Sequence, residues 1–180
     1  MELIDALDQT FQHAKGVIGN VRAEQMDNAT PCSEWTVRDL MSHTIGVVAG
    51  IGATAADAPR SEFQLADDPV AQFHDAATAN IAAWRAPGVM DKMVNGGPGP
   101  MPGHVLAGIN LLDTATHTWD LAKATGQDAQ LPADVATTAL EVSRQIISPE
   151  MRTGRFGPEV AAPAGCGPTE QLVAFLGREP

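Results

Sequence analysis

The sequence has few basic residues, few cysteines and no long apolar run. Its 11 Lys and Arg stand against 22 Asp and Glu, which gives a net charge of -11. The basic residues form no cluster, which argues against nucleic acid and against an anionic membrane surface as the main partner. The two cysteines, Cys32 and Cys166, lie far apart without a C-x-x-C motif, so they do not predict a disulfide framework.

The absence of an apolar run near ~18 residues also predicts that no transmembrane helix is present. The sequence begins M-E-L-I-D, without the basic region of a signal peptide, and this predicts a cytoplasmic protein. A chain of 180 residues is most simply one domain, residues 1–180, with a sizeable core.

Apolar residues recur at helical spacing over most of the chain, which predicts an all-α fold. A Gly/Pro-rich stretch at 87–104 interrupts the pattern and predicts a long crossover loop, with a short extended piece near 90–94 and a role such as lining a pocket. Four main helices and a short extra C-terminal helical segment indicate a four-helix bundle. The predicted helices cover residues 2–21, 36–51, 68–84, 104–125, 132–147 and 169–176.

The second predicted helix has a clear start. Thr36 is placed as the N-cap, and Asp39 can return a hydrogen bond to it in a capping box. Trp35 and Leu40 are placed as a hydrophobic staple around the cap, and Trp35 is expected in the core. His43 follows in the apolar stripe, where a histidine is more often a core residue than a metal ligand.

The fourth predicted helix carries Asp113 and His117, four residues apart. This spacing turns a helix by ~400°, so both side chains leave the same face, beside an apolar stripe. Burying them costs free energy unless a partner compensates the carboxylate and the ring nitrogens. A divalent metal would do so, and an Asp–His hydrogen bond or salt bridge without a metal is the simpler alternative.

His43, Asp113 and His117 together form a candidate ligand set on the inward faces of two helices. Two imidazoles and one carboxylate suit zinc, and nickel, iron and manganese are further candidates. Three protein ligands leave a coordination position open, which is typical of a catalytic rather than a structural zinc site.

Five further side chains are weaker candidates. Asn110 and Asp120 lie at helical spacing from the two ligands: Asn110 could orient a ligand or substrate, and Asp120 could accept a hydrogen bond from a histidine, although a solvated position is the simpler expectation. His104 could reach a pocket mouth and Arg38 a substrate carboxylate, but both are more simply surface residues. Cys32 precedes a helix, which favours a thiolate, although a buried structural thiol is simpler.

Two segments resemble a known family. The run T-P-C-S-E-W-T-V-R-D-L-M-S-H at 30–43 resembles the entry to the second helix in the DinB/YfiT-like superfamily, in particular its actinobacterial branch related to the N-terminal domain of mycothiol-dependent maleylpyruvate isomerase. The run D-T-A-T-H-T-W-D-L-A at 113–122 resembles the branch's second motif, in which Glu-x-x-x-His precedes Trp-Asp-Leu-Ala. The tail 172–178 resembles the family's ending, so the resemblance covers essentially the whole chain.

The resemblance implies a four-helix bundle that binds a divalent metal through His43, Asp113 and His117. Asp113 stands where the motif has Glu and is one methylene shorter, so it would bind the metal after a small helix shift or through water.

The resemblance also implies an enzyme that uses a low-molecular-weight thiol of the mycothiol type as a metal-bound thiolate nucleophile, for isomerisation or for S-transfer to an electrophilic substrate. Apolar bundle surfaces and the habit of the family suggest a homodimer, and the acidic composition without basic clusters predicts no nucleic-acid or membrane partner. A metal-dependent hydrolase and a non-catalytic metal- or thiol-binding module remain the alternatives.

Overall fold

The structure, a computed structural model, describes residues 1–96, 99–152 and 156–180, without the side chains of residues 150 and 151. The described chain is mostly helical, with one small sheet. The elements in order are α1 (Leu3–Gly19), a 3-10 turn (Ala23–Gln25), α2 (Val37–Ala55), α3 (Pro69–Trp84), β1 (Met93–Asn95), β2 (Pro100–Pro102), α4 (Gly103–Thr125), α5 (Ala133–Ile146), α6 (Pro149–Arg152) and α7 (Pro168–Phe175).

The four longest helices pack around one apolar core. α2 packs against α3 and α4, and α1 packs against the same two helices from the other side. Phe11 of α1 and Phe73 of α3 meet edge to face, with ring centroids 5.9 Å apart, deep in this core. α5 lies against α4 and α1, and α7 covers α5. No helix in the described part of the chain is long and apolar enough to cross a membrane.

The predicted capping box at the start of α2 is confirmed. The Asp39 amide donates to Thr36 Oγ1 at 3.2 Å, and the Thr36 amide donates back to Asp39 Oδ2 at 3.0 Å. α2 continues beyond the predicted end to Ala55. Gly52 marks the predicted end, but in the structure it is an interior helical residue: a Cβ there would lie 3.0 Å from Asn80 Cα, so the glycine allows α2 to approach α3 closely.

The long connection before α4 is not entirely a loop. β1 and β2 form an antiparallel hairpin with Val94 opposite Met101, which is an exception to the all-α prediction. The expected extended piece at 90–94 overlaps β1. Two parts of the predicted loops lie outside the described residues: Gly97 and Pro98 before α4, and residues 153–155 of the Gly/Pro-rich segment after α5. α4 begins at Gly103, directly after the hairpin. A Cβ at this position would collide with the carbonyl oxygen of Val89, so the close approach of the two backbone segments requires a glycine.

α4 runs through the middle of the molecule and places the candidate ligands. It is buried on nearly all sides and ends at Gly126, as predicted, in a left-handed conformation with φ 69°. Because α2 and α4 are in contact, the inward face of α2 that carries His43 meets the turn of α4 that carries Asp113 and His117.

Candidate metal centre

The structure brings His43, Asp113 and His117 together. Asp113 Oδ1 lies 3.4 Å from His43 Nε2 and 3.6 Å from His117 Nε2. The ligand atoms of the three residues all lie within 4.8 Å of one another. The two imidazoles stand nearly perpendicular, with ring centroids 4.9 Å apart. The i, i+4 spacing on α4 and the contact between α2 and α4 produce this grouping.

The hydrogen bonds of His117 favour a cation, either a proton or a metal ion, beside Asp113. His117 Nδ1 lies 3.0 Å from Asp120 Oδ2, and an ionised carboxylate only accepts, so Nδ1 carries the proton. In the neutral ring, Nε2 then points a lone pair at Asp113 Oδ1. Two acceptors that face each other repel unless a proton or a metal ion lies between them. The other Asp113 oxygen, Oδ2, is buried and has no hydrogen-bond partner among the described residues. These donors therefore fit a divalent metal.

Asp120 is fully buried behind His117, so the expectation that it is solvated is wrong. Its carboxylate receives two N–H groups of Arg178, at 3.0 and 2.9 Å, and lies 3.2 Å from the Cys32 sulfur. Burial alone would raise the pKa of Asp120, but the hydrogen bonds from His117 and Arg178, with their charges, hold it below its usual value. Asp120 thus fixes the tautomer and orientation of His117, the role that a carboxylate behind a metal-binding histidine plays.

Without a metal, the same network favours a protonated His117. Burial lowers the pKa of this imidazole, but the hydrogen bonds to Asp120 and Cys32 and the negative charge of Asp113 outweigh it and raise the pKa to about 10. Protonation is thus the metal-free way to place positive charge between His117 and Asp113, and a bound metal would displace this proton.

This pKa predicts how the stability of the metal-free protein depends on pH. Because the folded-state pKa lies above the unfolded value of about 6.5, the His117 contribution is complete below pH 6.5 and is lost as the pH rises through about 10. We expect the free energy of unfolding in the presence of a chelator to fall by roughly 2 kcal/mol more between pH 7 and pH 9 than in His117→Gln. Urea denaturation of both proteins measures this difference, and equal slopes would contradict the assignment.

The loop before α2 covers the imidazoles. Trp35 is half-buried rather than a plain core residue, and its ring lies 4.5 Å from the His43 ring and 5.8 Å from the His117 ring, centroid to centroid. Thr30 holds the loop, because its hydroxyl accepts from the Cys32 amide at 3.1 Å and lies 2.9 Å from the Trp35 carbonyl. Cys32, expected to be a buried structural thiol, is half-buried and faces the site.

A second group of potential donors, formed by Cys32, His117 and Asp120, shares the same histidine. Here a fixed cation is already present: the Arg178 guanidinium lies 2.9 Å from Asp120 Oδ2 and 3.4 Å from the Cys32 sulfur. The positive charge that this group needs is supplied by the protein itself. The set with His43 and Asp113 is therefore the better candidate for a metal site.

Two cavities meet at the candidate ligands. One, of about 480 Å³, lies on the side of Cys32, Trp35 and Arg178. The other, of about 690 Å³, runs along α2 and α4 away from them. His43 and Asp113 line both cavities. A small molecule can therefore reach the ligand atoms from either side.

The remaining predicted residues do not join this site. Asn110 is fully buried, and its Nδ2 donates to Asn80 Oδ1 at 3.0 Å, so it ties α4 to α3 instead of orienting a ligand. His104 is exposed at the start of α4, with Nδ1 3.3 Å from the Met90 carbonyl oxygen. Arg38 is exposed on the first turn of α2 and lines neither cavity.

Sequence reasoning missed Arg178 as a site residue. It follows α7 and reaches Asp120 across 58 residues of sequence. The local sequence feature that could have pointed to it is a single arginine shortly after the last predicted helix. Arginines of this kind are scarce in a chain with 11 basic and 22 acidic residues.

Comparison with known proteins identifies the family. The family model described as the mycothiol maleylpyruvate isomerase N-terminal domain matches residues 7–122, a segment that includes His43, Asp113, His117 and Asp120. Two uncharacterized proteins of Mycobacterium tuberculosis, from strains CDC 1551 / Oshkosh and ATCC 25618 / H37Rv, are each 38% identical over 164 residues, covering 90% of this chain and 90% of their own length. No solved structure matches the chain. Because the family model covers more than half of it, the chain belongs to the mycothiol maleylpyruvate isomerase N-terminal domain family.

Proposed function

We propose that this protein binds a divalent metal through His43, Asp113 and His117 and uses the site to react a low-molecular-weight thiol with an electrophile, by S-transfer or isomerisation. The observation that carries the proposal is that one carboxylate oxygen of Asp113 lies within 3.6 Å of the Nε2 atoms of His43 and His117. The His117 ring carries its proton on Nδ1, which faces Asp120 on the opposite side. Zinc suits this donor set, and nickel, iron and manganese are alternatives. Family membership supports a mycothiol-type thiol as the cosubstrate.

When bound, the metal would supply a positive charge that lowers the pKa of a coordinated thiol, so that the thiolate forms near neutral pH. The protein's own residues prepare the site. Asp120 holds His117 by its Nδ1–H, and Arg178 holds Asp120 with two N–H groups. Trp35 covers one side of both imidazoles. The cavities on either side of His43 and Asp113 leave room for two small molecules.

The proposal extends to the architecture and the setting of the protein. We infer that α1 to α4 form the four-helix bundle of the DinB-like superfamily, that residues 1–180 are one domain and that Asp113 binds the metal directly. A cytoplasmic location, a homodimer and the absence of nucleic-acid and membrane partners remain predictions.

The reaction is tested with the metal-loaded protein, a panel of thiols that includes mycothiol, and the fluorogenic electrophile monochlorobimane. We expect thiol-dependent product formation that falls more than about 100-fold in His43→Ala, because the variant loses a metal ligand. His74→Ala is the matched control, since His74 is exposed on α3. Consumption of ester substrates without a thiol would favour a hydrolase. Metal binding without turnover of any panel member would favour a non-catalytic binding module.

A further inference from the structure

Arg60 is a cation without a carboxylate partner among the described residues. Its Nε donates to Thr54 Oγ1 at 2.8 Å, and its Nη2 lies 3.5 Å from the Asn95 carbonyl oxygen. The neighbouring cation, Lys92, differs because Asp57 lies 3.8 Å from it. Arg60 is exposed and is held by neutral oxygens alone, so no carboxylate of the described residues offsets its charge toward an anionic ligand.

A glycine of α2, Gly46, lets the segment that carries Arg60 return toward the metal ligands. A Cβ at Gly46 would lie 3.1 Å from the Phe63 ring, and one at Gly50 would lie 4.0 Å from Arg60 Cδ. The segment 60–63 therefore runs back along α2, with Arg60 beside Gly50. Gly50 is seven residues after His43, so the arginine stem lies about 10 Å from His43 along the helix axis. The guanidinium lies further along, at Thr54, which is eleven residues or about 16 Å of helix rise after His43.

The cavity of about 690 Å³ joins these two points. His43 and Asp113 line it at one end, and Arg60 lines it at the other. Its walls between these ends are mainly apolar, from α2, α4, the hairpin and the returning segment; they include Val47, Ile51, Phe63, Met101, Leu106 and Ile109. The shape and chemistry match a ligand with an apolar body and one anionic end.

We propose that this cavity binds the electrophilic substrate, and that Arg60 selects substrates carrying a carboxylate about 10 to 12 Å from the reacting carbon. The inference rests on the proposed function for the metal end of the cavity. The smaller cavity takes the thiol, because its lining places the polar side chains of Ser33, Glu34 and Thr116 around the ligand atoms.

The first test needs no metal. Octanoate and neutral octanamide are titrated calorimetrically into chelator-treated parent protein, Arg60→Gln and Arg144→Gln. Arg144 is exposed on α5 and lines neither cavity, so its variant controls for the loss of one positive charge. We expect octanoate to bind about tenfold more weakly to Arg60→Gln than to the other two proteins, and octanamide to bind all three equally. Equal octanoate affinity in parent and Arg60→Gln would overturn the proposal.

The second test measures the distance between the two ends. In Co²⁺-substituted protein, a thiol anchor is followed by its sulfur-to-cobalt charge-transfer absorption. We expect 8-mercaptooctanoate to bind more tightly than 8-mercaptooctanol, 3-mercaptopropionate to show no advantage over 3-mercaptopropanol, and Arg60→Gln to remove the difference. A carboxylate preference independent of chain length would overturn the span. Failure of every thiol to give the band, with the octanoate difference intact, would overturn the proposed function and leave the Arg60 subsite standing.

Discussion

Replacing either His43 or His117 by alanine is expected to reduce the metal content from about one ion per chain to near zero. Each variant leaves two of the three ligands, and removing the imidazole also leaves Asp113 Oδ1 facing a single nitrogen. Elemental analysis of protein purified without an affinity tag measures the effect, before and after refilling with zinc. His74→Ala, on the exposed face of α3, is expected to keep the parent's metal content.

The His43→Ala and Cys32→Ser variants separate the two donor groups that share His117. A metal bound by Cys32, His117 and Asp120 would survive in His43→Ala and would be lost in Cys32→Ser. We expect the reverse, because Arg178 already supplies the positive charge on that side. If the parent protein stays without metal after refilling, and its melting temperature does not change on chelation, the metal site is contradicted. Asp113 and His117 would then form an Asp–His pair without a metal.

Replacing Arg178 by alanine is expected to lower the free energy of unfolding by about 3 kcal/mol, the cost of leaving one member of a buried ion pair without its partner. Asp120 is fully buried, and Arg178 supplies two of its hydrogen bonds, so the remaining carboxylate would keep only His117 and Cys32. Urea denaturation of the chelated protein measures the loss. Arg144→Ala, an exposed change on α5, is expected to cost less than about 0.5 kcal/mol.

A double-mutant cycle with Asp120→Asn tests the cause of this loss. Because the two side chains are in direct contact, we expect Arg178→Ala to cost much less in the Asp120→Asn background than in the parent. Additive losses would show that Arg178 stabilises the fold through its packing alone and would remove it from the site.

The sequence determined the features that depend on neighbouring residues. Thr36 and Asp39 cap α2 through hydrogen bonds across three residues, and Gly126 ends α4 because glycine adopts a positive φ without strain. The spacing of Asp113 and His117 is likewise a property of any helix. The prediction of the family also came from sequence, since its two motifs are short continuous segments, and the family match confirms it.

The tertiary structure alone decided what surrounds these features. Periodicity predicts one apolar stripe, but α4 is covered by α1, α2 and α5, so Asp120 lies in the interior where a solvated face was expected. Arg178 and Arg60 reach their positions through the packing of α7 on α5 and of Phe63 on Gly46. Such long-range contacts follow from the shape of packed helices, which local sequence patterns do not encode. The sequence therefore determined which residues are candidate metal ligands, and the packing decided which charges stand behind and beside them.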